Sequence, residues 1–130
     1  LDRIDLHVEL EAVPFAAIAA RAEVDVEEQE RTIRQRILQS NNRQRAEAGK
    51  PNSRLVAGEL GKRVRIKPEV QSLLEQAARR TGLSARGYVK VLRVATTIAD
   101  LAEESEIRAE HAAEALSFRG LERIQAYARG

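Results

Sequence analysis

Residues 87–101 read Gly87-Tyr88-Val89-Lys90-Val91-Leu92-Arg93-Val94-Ala95-Thr96-Thr97-Ile98-Ala99-Asp100-Leu101. The apolar residues of this stretch recur at helical spacing, at Tyr88, Val91, Leu92, Ala95, Ile98, Ala99 and, just beyond it, Ala102. That spacing predicts an α-helix with one buried face, and Ser84 is suited to cap its start. The other elements of the chain are placed around this helix.

A row of cations lies along the edge of the same helix. Arg86, Lys90 and Arg93 are four and three residues apart, so they share one side, and no acid interrupts the row before Asp100. Helices usually carry Asp or Glu in the first turn, because their N-terminal end is partly positive. Two interpretations remain open, a solvated basic edge or a site for an anion supplied from elsewhere.

The segments on either side of this helix are also predicted to be helical. Pro68 suits a first helical position, and Gly82 suits the left-handed end of the same helix. A last helix has Ala109, Ala112, Ala113 and Leu116 on its inward face. A long polar helix from Asp25 to about Ala48 carries only a thin apolar stripe at Ile33 and Ile37, so we expect it to be partly exposed.

The N-terminal segment differs from the rest. From Ile4 to Leu10, apolar and polar residues alternate strictly, which predicts a half-buried strand. A single strand is not stable in water, so it requires a sheet partner or remains poorly ordered. We expect the segment to pack on the bundle or on a second molecule. The predicted fold class is therefore all-α, a small helical bundle preceded by a long connecting helix and an orphan N-terminal strand.

Composition excludes several kinds of site. Cysteine is absent, so no disulfide and no cysteine-based metal site can form, and the two histidines have no partner at ligand spacing. The net charge of +2 is too small to indicate nucleic-acid binding by itself. The chain has no signal peptide and no long apolar run, so we expect no membrane association and a cytoplasmic location. The missing initiator methionine suggests an excised piece of a longer protein.

Several short motifs, taken in order along the chain, resemble magnesium-chelatase-like AAA+ ATPases of the YifB/ComM type. Each motif is short, but their order and spacing over nearly the whole chain make the resemblance specific. Where the family usually has a bulky basic or aromatic pair before Leu92-Arg93, this chain has Val89-Lys90. The matching segments are Leu1-Asp2-Arg3-Ile4-Asp5-Leu6, Asn52-Ser53-Arg54-Leu55, Gly82-Leu83-Ser84-Ala85-Arg86, Leu92-Arg93-Val94-Ala95, Thr97-Ile98-Ala99-Asp100-Leu101 and Glu114-Ala115-Leu116.

The resemblance implies a division of the chain and roles for particular residues. Residues 1–20 would be the last strand and edge of an AAA+ core, residues 21–52 a connecting helix, and residues 53–130 the C-terminal helical lid. Arg3 resembles the arginine finger that reaches the phosphate bound to a neighbouring subunit. Arg93 resembles the sensor-2 arginine of the lid. A triphosphate would then be the anion that faces Arg86, Lys90 and Arg93.

The resemblance also implies cofactors and partners. The full-length protein would use ATP and Mg²⁺, but this piece alone would bind neither and would not hydrolyse ATP, because the phosphate-loop pattern G-x-x-x-x-G-K-[ST] is absent. No metal-ligating residues are assigned. The partners would be neighbouring subunits of the same ring and the upstream core, with DNA as the substrate of the motor.

Two other functions remain open at the level of sequence. One is a metal-chelatase motor for insertion into a tetrapyrrole, which neighbouring pigment genes would favour over recombination or competence genes. The other is a stand-alone helical adaptor for a protein partner, which would require a complete gene of this length.

Overall fold

A computed structural model describes residues 4–8, 10, 12–17 and 26–119. Over these residues the fold is helical, as the sequence predicts. The α-helices are α1 (Val26–Ala48), α2 (Ala57–Arg63), α3 (Pro68–Thr81), α4 (Ala85–Leu101) and α5 (Ala109–Ser117), with a 3₁₀ turn at Asn52–Arg54 between α1 and α2.

Helix α4 is the centre of the bundle. Its residues Val91, Ala95 and Ala99 are almost completely buried, and they share one core with Leu74 of α3 and Ala112 of α5. Tyr88, Leu92 and Ile98 pack around that core, as their spacing predicts. Small alanine side chains let the helices approach closely, which explains how a chain with few aromatic residues builds a core.

The predicted ends of α3 and α4 are confirmed. Pro68 occupies the first turn of α3, and Gly82 ends this helix in the left-handed conformation with φ 67°. Ser84 caps α4, because its hydroxyl accepts a hydrogen bond from the Gly87 amide at 3.0 Å. The first turn of α4 contains no acidic residue.

Helix α1 contacts the bundle only near its C-terminal end. Ser40 and Gln44 are its buried residues, whereas Ile33, Ile37 and Leu38 are more than half exposed. The predicted partial exposure is therefore confirmed. No helix in the part of the chain that the structure describes is long and apolar enough to cross a membrane.

The strand predicted at Ile4–Leu10 is wrong for the described residues of that segment, 4–8 and 10. These residues form no strand, because no sheet partner lies beside them. They pack on the bundle, as expected: the His7 amide donates to the Phe118 carbonyl at 2.7 Å, and Arg119 donates to the Ile4 carbonyl. The expected burial pattern is reversed, since His7 is buried while Ile4, Leu6 and Val8 are about half exposed or more.

Candidate functional site

Arg93 lies on α4 with its side chain partly buried. Its Nε donates a hydrogen bond to the Leu55 carbonyl oxygen at 3.0 Å, just after the 3₁₀ turn. Among residues 4–8, 10, 12–17 and 26–119, no carboxylate forms an ion pair with this guanidinium. A guanidinium that is held through Nε keeps its two terminal nitrogens available as forked donors, which suit phosphate or carboxylate oxygens.

Lys90 has a different environment from Arg93. It is buried, and its Nζ lies 3.2 Å from the Asp5 carboxylate on the N-terminal segment. This ion pair offsets much of the cost of burying the ammonium group. In this structure Lys90 therefore links α4 to the N-terminal segment.

Arg86 lies in the first turn of α4, one helical turn before Lys90, and is exposed. It forms no ion pair with any carboxylate in the described part of the chain. The cation row predicted from sequence is therefore divided between Arg86 and Arg93, which have no described acidic partner, and Lys90, which has one.

Arg3 lies outside the described residues. The segment that follows it is attached beside α4 through two side chains of the bundle, Lys90 and Arg119. Asp5, only two residues after Arg3, provides one of these attachments.

Sequence reasoning missed a buried polar cluster at the other end of α4. Asp100 is 4% exposed, and its carboxylate accepts hydrogen bonds from Arg63 Nη2 at 2.6 Å and from Asn52 Nδ2 at 2.8 Å. Arg43 Nε of α1 lies 3.6 Å from the same carboxylate. Two guanidinium groups therefore neutralise one buried acid, and this joins α1, the 3₁₀ turn and α2 to α4.

Asn52 is the second centre of this cluster. Its backbone amide donates to Gln44 Oε1 at 2.8 Å, and its Nδ2 also donates to Thr97 Oγ1 at 3.1 Å. Gln44 in turn donates to Ser40 Oγ at 3.1 Å. One signal in the sequence could have indicated this cluster: Ser40 and Gln44 continue the stripe of Ile33 and Ile37 at helical spacing, so polar residues occupy inward positions there.

Among the residues that the structure describes, two ionisable groups have a shifted pKa. Burial raises the pKa of the Tyr88 hydroxyl above 10.0, although the hydrogen bond that it accepts from Gln71 lowers it in part. The ion pair with Lys50, together with the backbone amide of Val56, lowers the pKa of the exposed Glu59 carboxyl below 4.5. Glu59 accepts a hydrogen bond from the Val56 amide at 3.3 Å, so it contacts the same peptide group whose Leu55 carbonyl accepts from Arg93 Nε. Tyr88 instead accepts its hydrogen bond from Gln71 of α3.

The described residues offer no cluster of three or more His, Cys, Asp or Glu side chains that could hold a metal ion. A cleft of about 120 Å³ opens beside Asp100, between Arg43, Arg63 and Glu104. Arginines and carboxylates both line it, so their charges largely cancel, and it provides no clear preference for an anion or a cation.

The fold and these arginines define a small helical domain whose central helix carries Arg86 and Arg93, neither of which forms an ion pair with a described carboxylate. Residues 27–119 match the family described as magnesium chelatase, subunit ChlI C-terminal. This match extends over well more than half of the chain. The chain therefore belongs to that family of magnesium-chelatase-like AAA+ proteins.

Similar proteins occur in several bacteria. The chain is 34% identical over 124 residues to the competence protein ComM of Haemophilus influenzae. It is 32% identical over 124 residues to the uncharacterized protein YifB of Salmonella typhimurium and, likewise, to that of Escherichia coli. In each case the similarity covers 95% of this chain but only 24% of the relative. The chain thus spans about a quarter of the length of these relatives.

Proposed function

We propose that this chain is the C-terminal lid and inter-subunit sensor of a ring-forming ATPase, in which Arg93 contacts the γ-phosphate of ATP. The observation that supports this most directly is the environment of the Arg93 guanidinium. Its Nε donates to the Leu55 carbonyl, and no described carboxylate forms an ion pair with it. An anionic oxygen fits this position because the guanidinium is always charged and presents parallel donors. Arg86 is proposed as a second phosphate contact on the same edge of α4.

Lys90 has a different proposed role, because its ammonium already pairs with Asp5 at 3.2 Å. We assign Lys90 to the contact between the lid and the segment that carries Arg3, and not to direct contact with nucleotide. This revises the role implied by sequence resemblance. Through this ion pair, a movement of α4 would also move the segment that carries the arginine finger.

The nucleotide would supply the phosphoryl group, with Mg²⁺ held by residues upstream of this chain. The residues of this chain would act on the phosphate charge. Arg93 would stabilise the charge that develops on the γ-phosphate, and Arg3 would do the same for nucleotide bound to the adjacent subunit. A finger supplied in this way contributes about 10³–10⁵ in rate in other phosphoryl-transfer enzymes.

Subunit mixing tests the role of Arg3 in the full-length protein. Arg3→Ala subunits are mixed with subunits whose own phosphate loop is inactivated, at constant total concentration, and ATP hydrolysis is measured. Each variant alone should be inactive. A finger that acts on the neighbour restores activity wherever the intact nucleotide site of an Arg3→Ala subunit meets the intact Arg3 of the other variant, so mixed rings should regain activity. No regained activity at full ring assembly would contradict action across the interface.

The substrate of the motor is proposed to be DNA, since one relative is named as a competence protein. A metal-chelatase motor is the second candidate, supported by the description of the matched family. Stimulation of ATP hydrolysis separates the two: DNA should increase the rate at saturating ATP if the motor acts on DNA. A rate that responds to a tetrapyrrole and Mg²⁺ but not to DNA would favour the chelatase.

A further inference from the structure

The direction of the Arg93 side chain depends on the position of one backbone carbonyl. Arg93 Nε donates to Leu55 O at 3.0 Å. Leu55 is almost completely buried and directly follows the 3₁₀ turn Asn52–Arg54. A displacement of this turn would therefore move the acceptor that orients the guanidinium plane.

Asn52 fixes that turn to the same helix that carries Arg93. It is 2% exposed, and its Nδ2 donates to Thr97 Oγ1 at 3.1 Å and to Asp100 Oδ2 at 2.8 Å. Residues 93, 97 and 100 follow one another at helical spacing, so they lie along one side of α4. The turn and the residue after it are thus attached to α4 at residues 93, 97 and 100, and the Arg93–Leu55 bond is the first of these contacts along the helix.

The acceptor of Asn52 is itself immobilised. Asp100 is held by Arg63 Nη2 at 2.6 Å, with Arg43 Nε at 3.6 Å, so its carboxylate has little freedom to rotate away. From the other side, Gln44 accepts a hydrogen bond from the Asn52 backbone amide at 2.8 Å. Side chains of α1 and α4 therefore fix Asn52 directly, and Arg63 of α2 supports it through Asp100.

We propose that Asn52 is a positioning residue for Arg93. It holds the Leu55 carbonyl, which in turn holds Nε, so that the terminal nitrogens of Arg93 keep a constant direction toward the phosphate. This inference rests on the proposed function of Arg93 for its catalytic consequence. Its structural part, the dependence of the Arg93 Nε–H bond on Asn52, does not rest on that function.

The structural part is tested by NMR on the 130-residue chain. The Nε–Hε signal of Arg93 is assigned by its disappearance in Arg93→Lys, and its exchange with water is then measured in Asn52→Ala. Loss of the hydrogen bond should speed this exchange about fivefold or more. The matched control is Asn42→Ala, which removes an exposed asparagine of α1 and should leave the exchange unchanged.

If Asn52→Ala does not fold, the same exchange is measured in Asn52→Ser, since serine retains a polar group but cannot donate to both Thr97 and Asp100. In whichever variant folds, unchanged exchange at Arg93 Nε would overturn the proposal. Faster exchange in the control as well would also overturn it, because the effect would then not be specific to Asn52.

The catalytic consequence is tested by ATP hydrolysis in the full-length protein at matched oligomeric state. Asn52→Ala should lower kcat while leaving the KM for ATP nearly unchanged, because the lost alignment affects a group that acts in the transition state. If exchange at Arg93 Nε becomes faster but kcat does not change, the positioning inference holds and the proposed role of Arg93 fails. The two failures can therefore be distinguished.

Discussion

The Tyr88 hydroxyl provides a test of packing at the scale of one residue. Its ring packs on the core of α4, and burial raises its pKa above 10.0. In Tyr127→Phe, Tyr88 is the remaining tyrosine of the chain, so tyrosinate absorbance reports on it alone. We expect a titration midpoint above 10.0 in the folded chain and a lower midpoint in urea.

The raised pKa of Tyr88 determines how the free energy of unfolding changes with pH. Because the folded-state pKa of Tyr88 is raised, its contribution to the free energy of unfolding is complete below pH 10.0 and is lost as the pH rises through the folded-state value. Tyr88→Phe should remove that loss above pH 10.0. An identical midpoint in the folded and unfolded chains would contradict the burial.

Individual apolar core residues could be predicted from sequence, whereas buried charged residues could not. Val91, Ala95 and Ala99 follow from helical periodicity alone, and all three are buried. Periodicity assigns charged residues to the surface, so it gave no sign that Lys90 and Asp100 would be buried. Each is buried because a partner distant in sequence neutralises it, Asp5 in one case and Arg63 in the other.

At the scale of elements, the docking of the N-terminal segment depends on Lys90. Lys90→Met preserves the length of the side chain but removes its ion pair with Asp5. We expect hydrogen exchange of the His7 amide, which donates to Phe118, to become faster in this variant. The free energy of unfolding of the bundle should change little, because the Asp5 carboxylate that loses its partner is 53% exposed and so remains solvated.

Lys62→Met is the matched control for this measurement, because Lys62 is an exposed lysine of α2. It should leave exchange at His7 unchanged. Exchange that is equally slow in Lys90→Met and in the unmutated chain would mean that the segment is held without the ion pair.

Helices were predicted more reliably than the N-terminal strand, and the reason is physical. Capping and glycine signals act within a few residues, so Pro68, Gly82 and Ser84 could be placed from sequence. A strand requires a partner elsewhere, which local alternation does not reveal. The inward face of α5 was also predicted only in part: Ala112 is buried, but Ala109 and Ala113 are exposed.

At the scale of the whole molecule, stability resides in the bundle and not in the exposed half of α1. Leu74 is 1% exposed, whereas Ile37 is 58% exposed. Leu74→Ala should lower the free energy of unfolding by about 2–5 kcal/mol. Ile37→Ala should change it by less than about 0.5 kcal/mol. Urea unfolding of the 130-residue chain measures both, and similar losses would show that α1 contributes a second core.

Family membership could be inferred from sequence motifs because their order along the chain is specific, and the match to residues 27–119 confirms it. The candidate site was predicted in part. Arg93 and Arg86 lie on α4 without a described acidic partner, Lys90 is paired, and Arg3 lies outside the described residues. The support of Arg93 by Leu55 could not be predicted, because the two residues are 38 positions apart in sequence.

The central claim is that Arg93 senses the γ-phosphate, and the most direct measurement is the ATP hydrolysis rate of full-length Arg93→Ala at matched oligomeric state. Arg80→Ala, which removes an exposed arginine in the last turn of α3, is the control. The account predicts a loss of at least about tenfold, or about 1.4 kcal/mol of transition-state stabilisation, in Arg93→Ala and none in the control. An unchanged rate in Arg93→Ala would contradict the account and would identify Arg93 as a structural link to Leu55.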